Sequence, residues 1–391
     1  MRPIRLHAGP RRGESVSDAS DSAGTARAFQ LALAVVAAFA VGFLLLLAAS
    51  REPVHALVTL LTGALPRLDW DASHGWQVHR MARFGAALED GITLTFLGLA
   101  VAIPFRARQF SLGADGALFL SALASVAVGL KMQGPWFVVA PTALAAALAA
   151  GFCWGALPAL LKVRYGASEI VTSLMLNVIA VEFYRLAISQ WLRDPGAGFL
   201  VTPVLPSSVV LPSILAHTNV SAMLFVVPVA AAVAVLLMER TTVGYEIRVV
   251  GDAPLFARRV GLPVDRAVVL SMAIGGAFAA LAGVHVGHAL LHRLPVDLNP
   301  GMGLDGLIVA LLARNEPRSI PLAAFLYAYL RASALAMERT TDVSREVVLV
   351  IQAVMILFIL AERLLPTLRT AWAARVRGRE RANPGVALEA P

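Results

Sequence analysis

The sequence reads as an all-α, polytopic membrane protein with about ten transmembrane helices and an inverted internal repeat. Three observations carry that reading. Of the 391 residues, 58% are hydrophobic and only 15% are charged. An average soluble domain carries roughly 25% charge, so polar surface is too scarce here to coat a globule of this size. The apolar residues come in repeated runs of about 20, the length that crosses a hydrocarbon core of ~30 Å, and the mean hydropathy is +0.73. A Gly-x-Asp-Gly motif also occurs twice, at Gly113 and again 190 residues later at Gly303, each time at the head of an apolar helix. A water-soluble enzyme is excluded on composition. The single cysteine, Cys153, leaves neither a disulfide framework nor a Cys-x-x-Cys metal site.

Taken in order, residues 1–28 are rich in Arg, Gly, Ser and Asp and are expected to be a disordered cytoplasmic tail. A transmembrane domain over 29–365 follows, and 366–391 form a basic cytoplasmic tail. The expected spans lie near 29–49, 87–105, 110–130, 136–157, 169–191, 219–238, 266–289, 303–313, 319–337 and 346–364. The first is expected to be a retained span and not a cleavable signal, because its apolar run exceeds the usual length of a signal's apolar region and no clear small-residue cleavage site follows it. Residues 54–65 are too few to cross. The segment 303–313 suits a half-helix buried among other helices.

The net charge of +8 is almost wholly arginine, since Lys131 and Lys162 are the only lysines. With the N-terminus placed inside, the cytoplasmic side receives 22 of the 33 basic residues, the outer side 9, and Arg185 and Arg331 fall within spans. Reversing the chain would invert that bias, so both termini are expected in the cytoplasm. The basic tails then face the membrane lipids and call for no nucleic acid. In this topology the first Gly-x-Asp-Gly motif enters from the cytoplasm and the second from outside, the arrangement of an inverted repeat. Glycine lets the chain bend and approach neighbours, and aspartate near a helix N-terminus meets the positive end of the helix dipole.

The longest clear cytoplasmic loop, 239–265, carries a helix start at Asp252-Ala253-Pro254, a short amphipathic stretch over 255–260 and a stop at Gly261-Leu262-Pro263. Its length, basic charge and helix suit docking of a partner.

At this point four segments resemble a known family: FSLGADGALFLSALA (110–124), ASEIVTSLMLNVIA (167–180), TTVGYEIRVVGDAPLFARRVGL (241–262) and GMGLDGLIVALLARNEP (301–317). They are similar to the permease subunit of ATP-binding-cassette (ABC) importers, in the family of permeases for ribose, branched-chain amino acids and nucleosides, and within it to the simple sugar and nucleoside branch. The likeness covers roughly 85–364. It departs from the family at Ser111, where Asn is expected, at Asp115 for Glu and at Ala117 for Gln. The resemblance implies a type II-importer-like fold of ten spans, with a coupling helix between the sixth and seventh. Gly251, Asp252, Ala253, Pro254, Ala257, Arg258, Arg259 and Gly261 would contact the ATPase there. It implies two nucleotide-binding ATPase subunits, a second permease subunit, identical or homologous, and an extracytoplasmic solute-binding protein. The chain would bind no cofactor, with ATP and magnesium held by partner subunits, and would sit in a bacterial inner membrane. The residues agree on one point: neither Lys131, followed by Met132, nor Lys162, followed by Val163, completes a P-loop. This chain is therefore read as a transport subunit and not an enzyme.

Ionisable groups within spans are costly and need a reason. Glu182 and Arg185 share a face of the fifth span and could neutralise one another, whereas Asn177 lies elsewhere on that helix. Arg331 has no partner in its own span and is expected to face Glu182 or a polar cavity. Asp115 and Asp305, equivalent in the repeat, are expected to share a central role. Thr172, Ser173 and Gln352 could hydrogen-bond a polar solute, and Glu169 suits either a helix cap or a gate. His285, His288 and His292 share one face near the outer end of the seventh span, where they could bind a metal or line a polar vestibule; no HExxH pattern accompanies them. The leading expectation is import of a nucleoside or simple sugar by alternating access. The alternatives are a branched-chain amino acid permease, an ion-coupled secondary transporter and an intramembrane enzyme.

Overall fold

The structure is a computed structural model, and the residues it describes are 40–47, 51–71, 75–79, 81–215 and 218–361. Both expected tails and most of the first expected span lie outside the described residues. The chain divides into two compact units, one of Val58–Ala336 and one of Met1–Leu57 with Met337–Pro391.

Between α1 (Pro53–Thr62) and the first long helix, the chain departs from the expected all-helical plan. Strands β1 (Arg67–Asp71) and β2 (Gly75–His79) form an antiparallel hairpin that pairs Arg67 with His79 and Asp71 with Gly75. The physical reason is local: RLDWD and WQVH alternate polar and apolar residues with period two, which suits a strand.

The remaining elements are α2 (Met81–Arg106), α3 (Ala114–Lys131), α4 (Trp136–Tyr165), α5 (Glu169–Gln190), α6 (Met223–Arg240), α7 (Thr242–Asp252), α8 (Pro254–Arg259), α9 (Val264–Val284), α10 (Met302–Leu312), α11 (Ile320–Thr340) and α12 (Arg345–Ala361). α9 runs on into a π-helical turn, His285–Leu291. Seven helices among the described residues are long and apolar enough to cross a bilayer: α2 to α6, α9 with its π turn, and α11. α10 is shorter, at 11 residues, the length expected of a half-helix.

α2 is the hub of the larger unit, since every residue from Gly91 to Pro104 along it is buried. A helix apolar on all sides belongs at a centre. α9, α10 and α6 pack on it, and α9 packs in turn on α3 and α4. The α4–α9 seam is close because its residues are small: a Cβ on Gly276 would strike the Gly151 carbonyl and lie 3.0 Å from the Gly155 Cα. Small residues spaced by four let helix backbones approach where lipid supplies no hydrophobic drive between helices. α4 is peripheral, with 22% of its apolar window buried against 83% for α2. Phe225, Val229, Val233 and Leu236 likewise form an exposed stripe along α6, a face suited to acyl chains.

In the smaller unit the described parts are a helical stretch over 40–47, the segment leading to α1, the end of α11, and α12. There the Arg51 backbone N–H donates to the Asp342 carboxylate over 2.8 Å.

Candidate functional site

The two Gly-x-Asp-Gly motifs open α3 and α10, and they meet. The backbone N–H of Gly303 donates to Asp115 Oδ1 over 2.7 Å. A Cβ on Gly303 would lie 2.9 Å from the Asp115 backbone nitrogen, so glycine is what permits the approach. The first four N–H groups of a helix have no partner within it. The carboxylate of one motif therefore caps the helix that the other motif begins, and it meets the positive end of that helix dipole.

The first motif is held from α5. Asn177 Oδ1 accepts the Gly116 N–H at 2.9 Å, and Asn177 Nδ2 donates to the Leu112 carbonyl at 2.6 Å. Ser173, buried one turn earlier, accepts the Leu112 N–H at 3.1 Å. These side chains are committed to the protein's own backbone in this state. Thr172 donates to the Ser168 carbonyl at 2.9 Å, a bond within its own helix. Lys162, in the last turn of α4, lies 2.9 Å from Glu169 Oε1 at the head of α5 and donates to Gln109 Oε1 at 2.6 Å.

Asp305 has other partners than Asp115, its counterpart in the first motif. Tyr327 Oη donates to its Oδ1 at 2.8 Å and Arg331 Nη1 to its Oδ2 at 2.7 Å. Tyr327 and Arg331 are four apart on α11 and so share a face. Of the two expectations for Arg331, Glu182 or a polar cavity, the first is corrected: its partner is an acid that arrives on α10, and Glu182 is taken by Arg185. Glu182 and Arg185 form the ion pair expected of them, at 2.7 Å, on an exposed face of α5 beside Ile179, Phe183 and Leu186. The sequence reading passed over Glu89 and Asp90. Asp90 is within electrostatic reach of Asp305 and Arg331, and Glu89 is 6% exposed with an Oε1 that has no hydrogen-bond partner. Two adjacent acids inside an apolar run were the available signal.

His285 and His288 are buried, and the expected polar vestibule is corrected: His288 borders a cavity whose other walls are apolar, among them Trp136, Leu144 and Leu281. Nδ1 of His285 lies 2.9 Å from Thr93 Oγ1 on α2, and Nδ1 of His288 lies 3.2 Å from the Val209 carbonyl. The π turn alters the 3.6-residue period on which a shared face relied. Among the described residues no cluster of three metal-ligating side chains exists. Gln352 lies on α12, outside the described side chains.

The 239–265 loop holds two helices. α7 was not foreseen; Thr241 caps it by accepting the Gly244 N–H at 3.1 Å. α8 begins with Pro254 in its first turn, and Gly261, at φ +79°, follows its end. Ala257 is buried in a cluster with Ala159, Val250, Ala267, Val268 and Met272. The other side of α8 exposes Leu255, Phe256, Arg258, Arg259 and Val260, with Leu255 74% exposed. Gly251 and Ala257 thus face the chain itself and not a partner. Asp252, Pro254, Arg258, Arg259 and Gly261 are exposed, and Ala253 is half-buried.

Seven helices long and apolar enough to cross a bilayer, packed around a buried central one, define a multi-pass membrane protein. The chain belongs to the family described as branched-chain amino acid transport system / permease component, whose pattern matches residues 85–360. It is 34% identical over 265 residues to a guanosine ABC transporter permease protein of Bacillus subtilis, covering 67% of this chain and 76% of that one. It is 29% identical over 360 residues to a glucose ABC transporter permease protein of Haloferax volcanii, covering 89% and 91%. A nucleoside ABC transporter permease protein of Lactococcus lactis is 25% identical over 347 residues, covering 84% and 89%. The chain is an ABC permease of the sugar and nucleoside branch, as its four resembling segments led us to expect.

Proposed function

We propose that this chain is the translocating subunit of an ABC importer for a nucleoside or simple sugar. The observation that carries the reading is the 34% identity to a guanosine permease over two thirds of the chain. The contact of Asp115 with Gly303 is consistent with it, since in transporters the N-terminus of a short, broken helix such as α10 contributes to sites near the midplane. In this reading the fold has ten spans related by an inverted repeat, and both termini are cytoplasmic in a bacterial inner membrane. A binding protein delivers solute outside, and a second permease subunit completes the pathway. Two ATPase subunits, which hold ATP and magnesium, drive the cycle through the 251–261 segment. This chain contributes positioning and a polar route, with no covalent chemistry. Asp115, Asn177, Asp305 and Arg331 would line or brace that route. Glu182 and Arg185, charged at membrane depth on an exposed face, would border the second subunit or the cavity between the two, with Thr172 and Ser173 on the same helix.

The test is reconstitution of the whole importer in proteoliposomes with ATP inside and tritiated guanosine or glucose outside. ATP-dependent accumulation of either probe is expected. Accumulation of leucine alone would instead assign a branched-chain amino acid, and uptake by this chain driven by an ion gradient without ATPase subunits would overturn the reading. Asp115→Asn and Asp305→Asn should each reduce uptake about tenfold or more, by loss of a charge-assisted hydrogen bond, while the subunits still co-purify.

A further inference from the structure

We propose that Lys162 is a positioning residue for coupling: it locks the turn after α2 so that movement of the α7–α8 loop reaches Asp115. The inference rests on the importer reading above, and it begins from a contact without side chains. Gly251, at the end of α7, lies against the Arg106 carbonyl, where a Cβ would collide, and that Cβ would come within 3.2 Å of the Ala107 Cα. The loop is thus seated directly on the backbone that leaves α2. From there the chain runs through an irregular turn, with Arg108 at φ +53°, to Asp115.

Such a turn would absorb a push from Gly251 unless something held it. Lys162 holds it on one side. Its ammonium donates to Gln109 Oε1 at 2.6 Å and lies 2.9 Å from Glu169 Oε1. Gln109 is itself buried, and its amide donates to the Ala107 carbonyl at 2.8 Å. One compact cation with three donors therefore ties the turn to the end of α4 and the start of α5. A second tie comes from Arg106, whose Nε donates to the Asn315 carbonyl at 3.1 Å beyond α10. Beyond Gln109 the chain is clamped again by Ser173 and Asn177 before it reaches Asp115 and the Gly303 amide. With these ties in place, a displacement at Gly251 is passed along the backbone to the meeting point of the two motifs.

The experiment measures uptake of tritiated guanosine, or of glucose if guanosine is not carried, together with ATP hydrolysis in the same proteoliposomes of the full importer. Lys162→Gln is expected to leave hydrolysis within about twofold and lower solute moved per ATP about tenfold, as loss of a charge-assisted tie predicts. Lys162→Arg, which keeps charge and donors, should stay within about threefold of the wild type. Gln109→Met removes one arm and leaves the ion pair; it should uncouple in the same sense and serves where Lys162→Gln does not assemble. An unchanged uptake-to-hydrolysis ratio in both variants overturns the proposal, as does a parallel fall of the two activities, the signature of a purely structural role. A wild-type importer that moves neither probe with ATP overturns the importer reading itself, and this inference with it.

Discussion

Asp115 and Asp305 occupy equivalent places in the two motifs, yet one accepts a backbone amide of the opposite motif and the other balances a cation. Sequence equivalence therefore located a junction without revealing how its parts divide the work. Because the Gly303 N–H needs only an acceptor, Asp115→Asn should keep melting in detergent within about 1 kcal/mol of wild type. Asp115→Leu strands a buried donor and should cost about 2 kcal/mol. A melting temperature unchanged in the leucine variant would refute the cap. The exposed Glu182–Arg185 pair makes a different prediction. Either single alanine leaves a lone charge at membrane depth, at about 3 kcal/mol on insertion scales, whereas the double alanine leaves none. Purified yield and melting should therefore rank the double above both singles.

At the level of the element, α8 was legible in the sequence because its signals are local: Pro254 opens it and Gly261 closes it. α7 was not, since its buried positions Gly244, Ile247, Val250 and Gly251 are interrupted by residues that read as loop. The hairpin β1–β2 was hidden for another reason, a short period-two pattern beside long apolar runs. The polar residues Ser173 and Asn177 could be picked out as unusual in a span, but what they bind became clear only when α5 was set beside the 112–116 segment. The Arg331 partner was invisible for a plainer reason, because it lies across the turn between α10 and α11. α8 carries a prediction that separates its two faces. Leu255→Asp or Phe256→Asp, on the exposed side, should reduce co-purifying ATPase at least tenfold while the chain still folds. Ala257→Asp places a charge in the packed cluster around Met272 and should lower the yield of the chain itself. Equal effects from both faces would argue against α8 as a docking element.

For the molecule as a whole, the distribution of basic residues and the burial pattern concern different boundaries. The 22 basic residues assigned to one side bear on orientation, and α4 to α6 with their exposed apolar faces bear on what surrounds the helices. Cys153, the sole cysteine, is free and exposed on α4, which makes orientation measurable. In a Cys153→Ala background, Arg258→Cys should react with a membrane-impermeant maleimide in inverted vesicles and not in intact cells; the opposite result would reverse the topology. The junction of the two motifs also bears on how the chain is made. Asp115 precedes its Gly303 partner by 188 residues, so during synthesis α3 enters the membrane long before the amide that its carboxylate caps exists. Until α10 is threaded in, the nascent first half carries an acid without the amide it caps, and recognition of that unpaired acid would end only when the second motif arrives. A chain stalled after α9 should accordingly be cleared faster than the finished protein, which makes the last motif a completion signal for biogenesis.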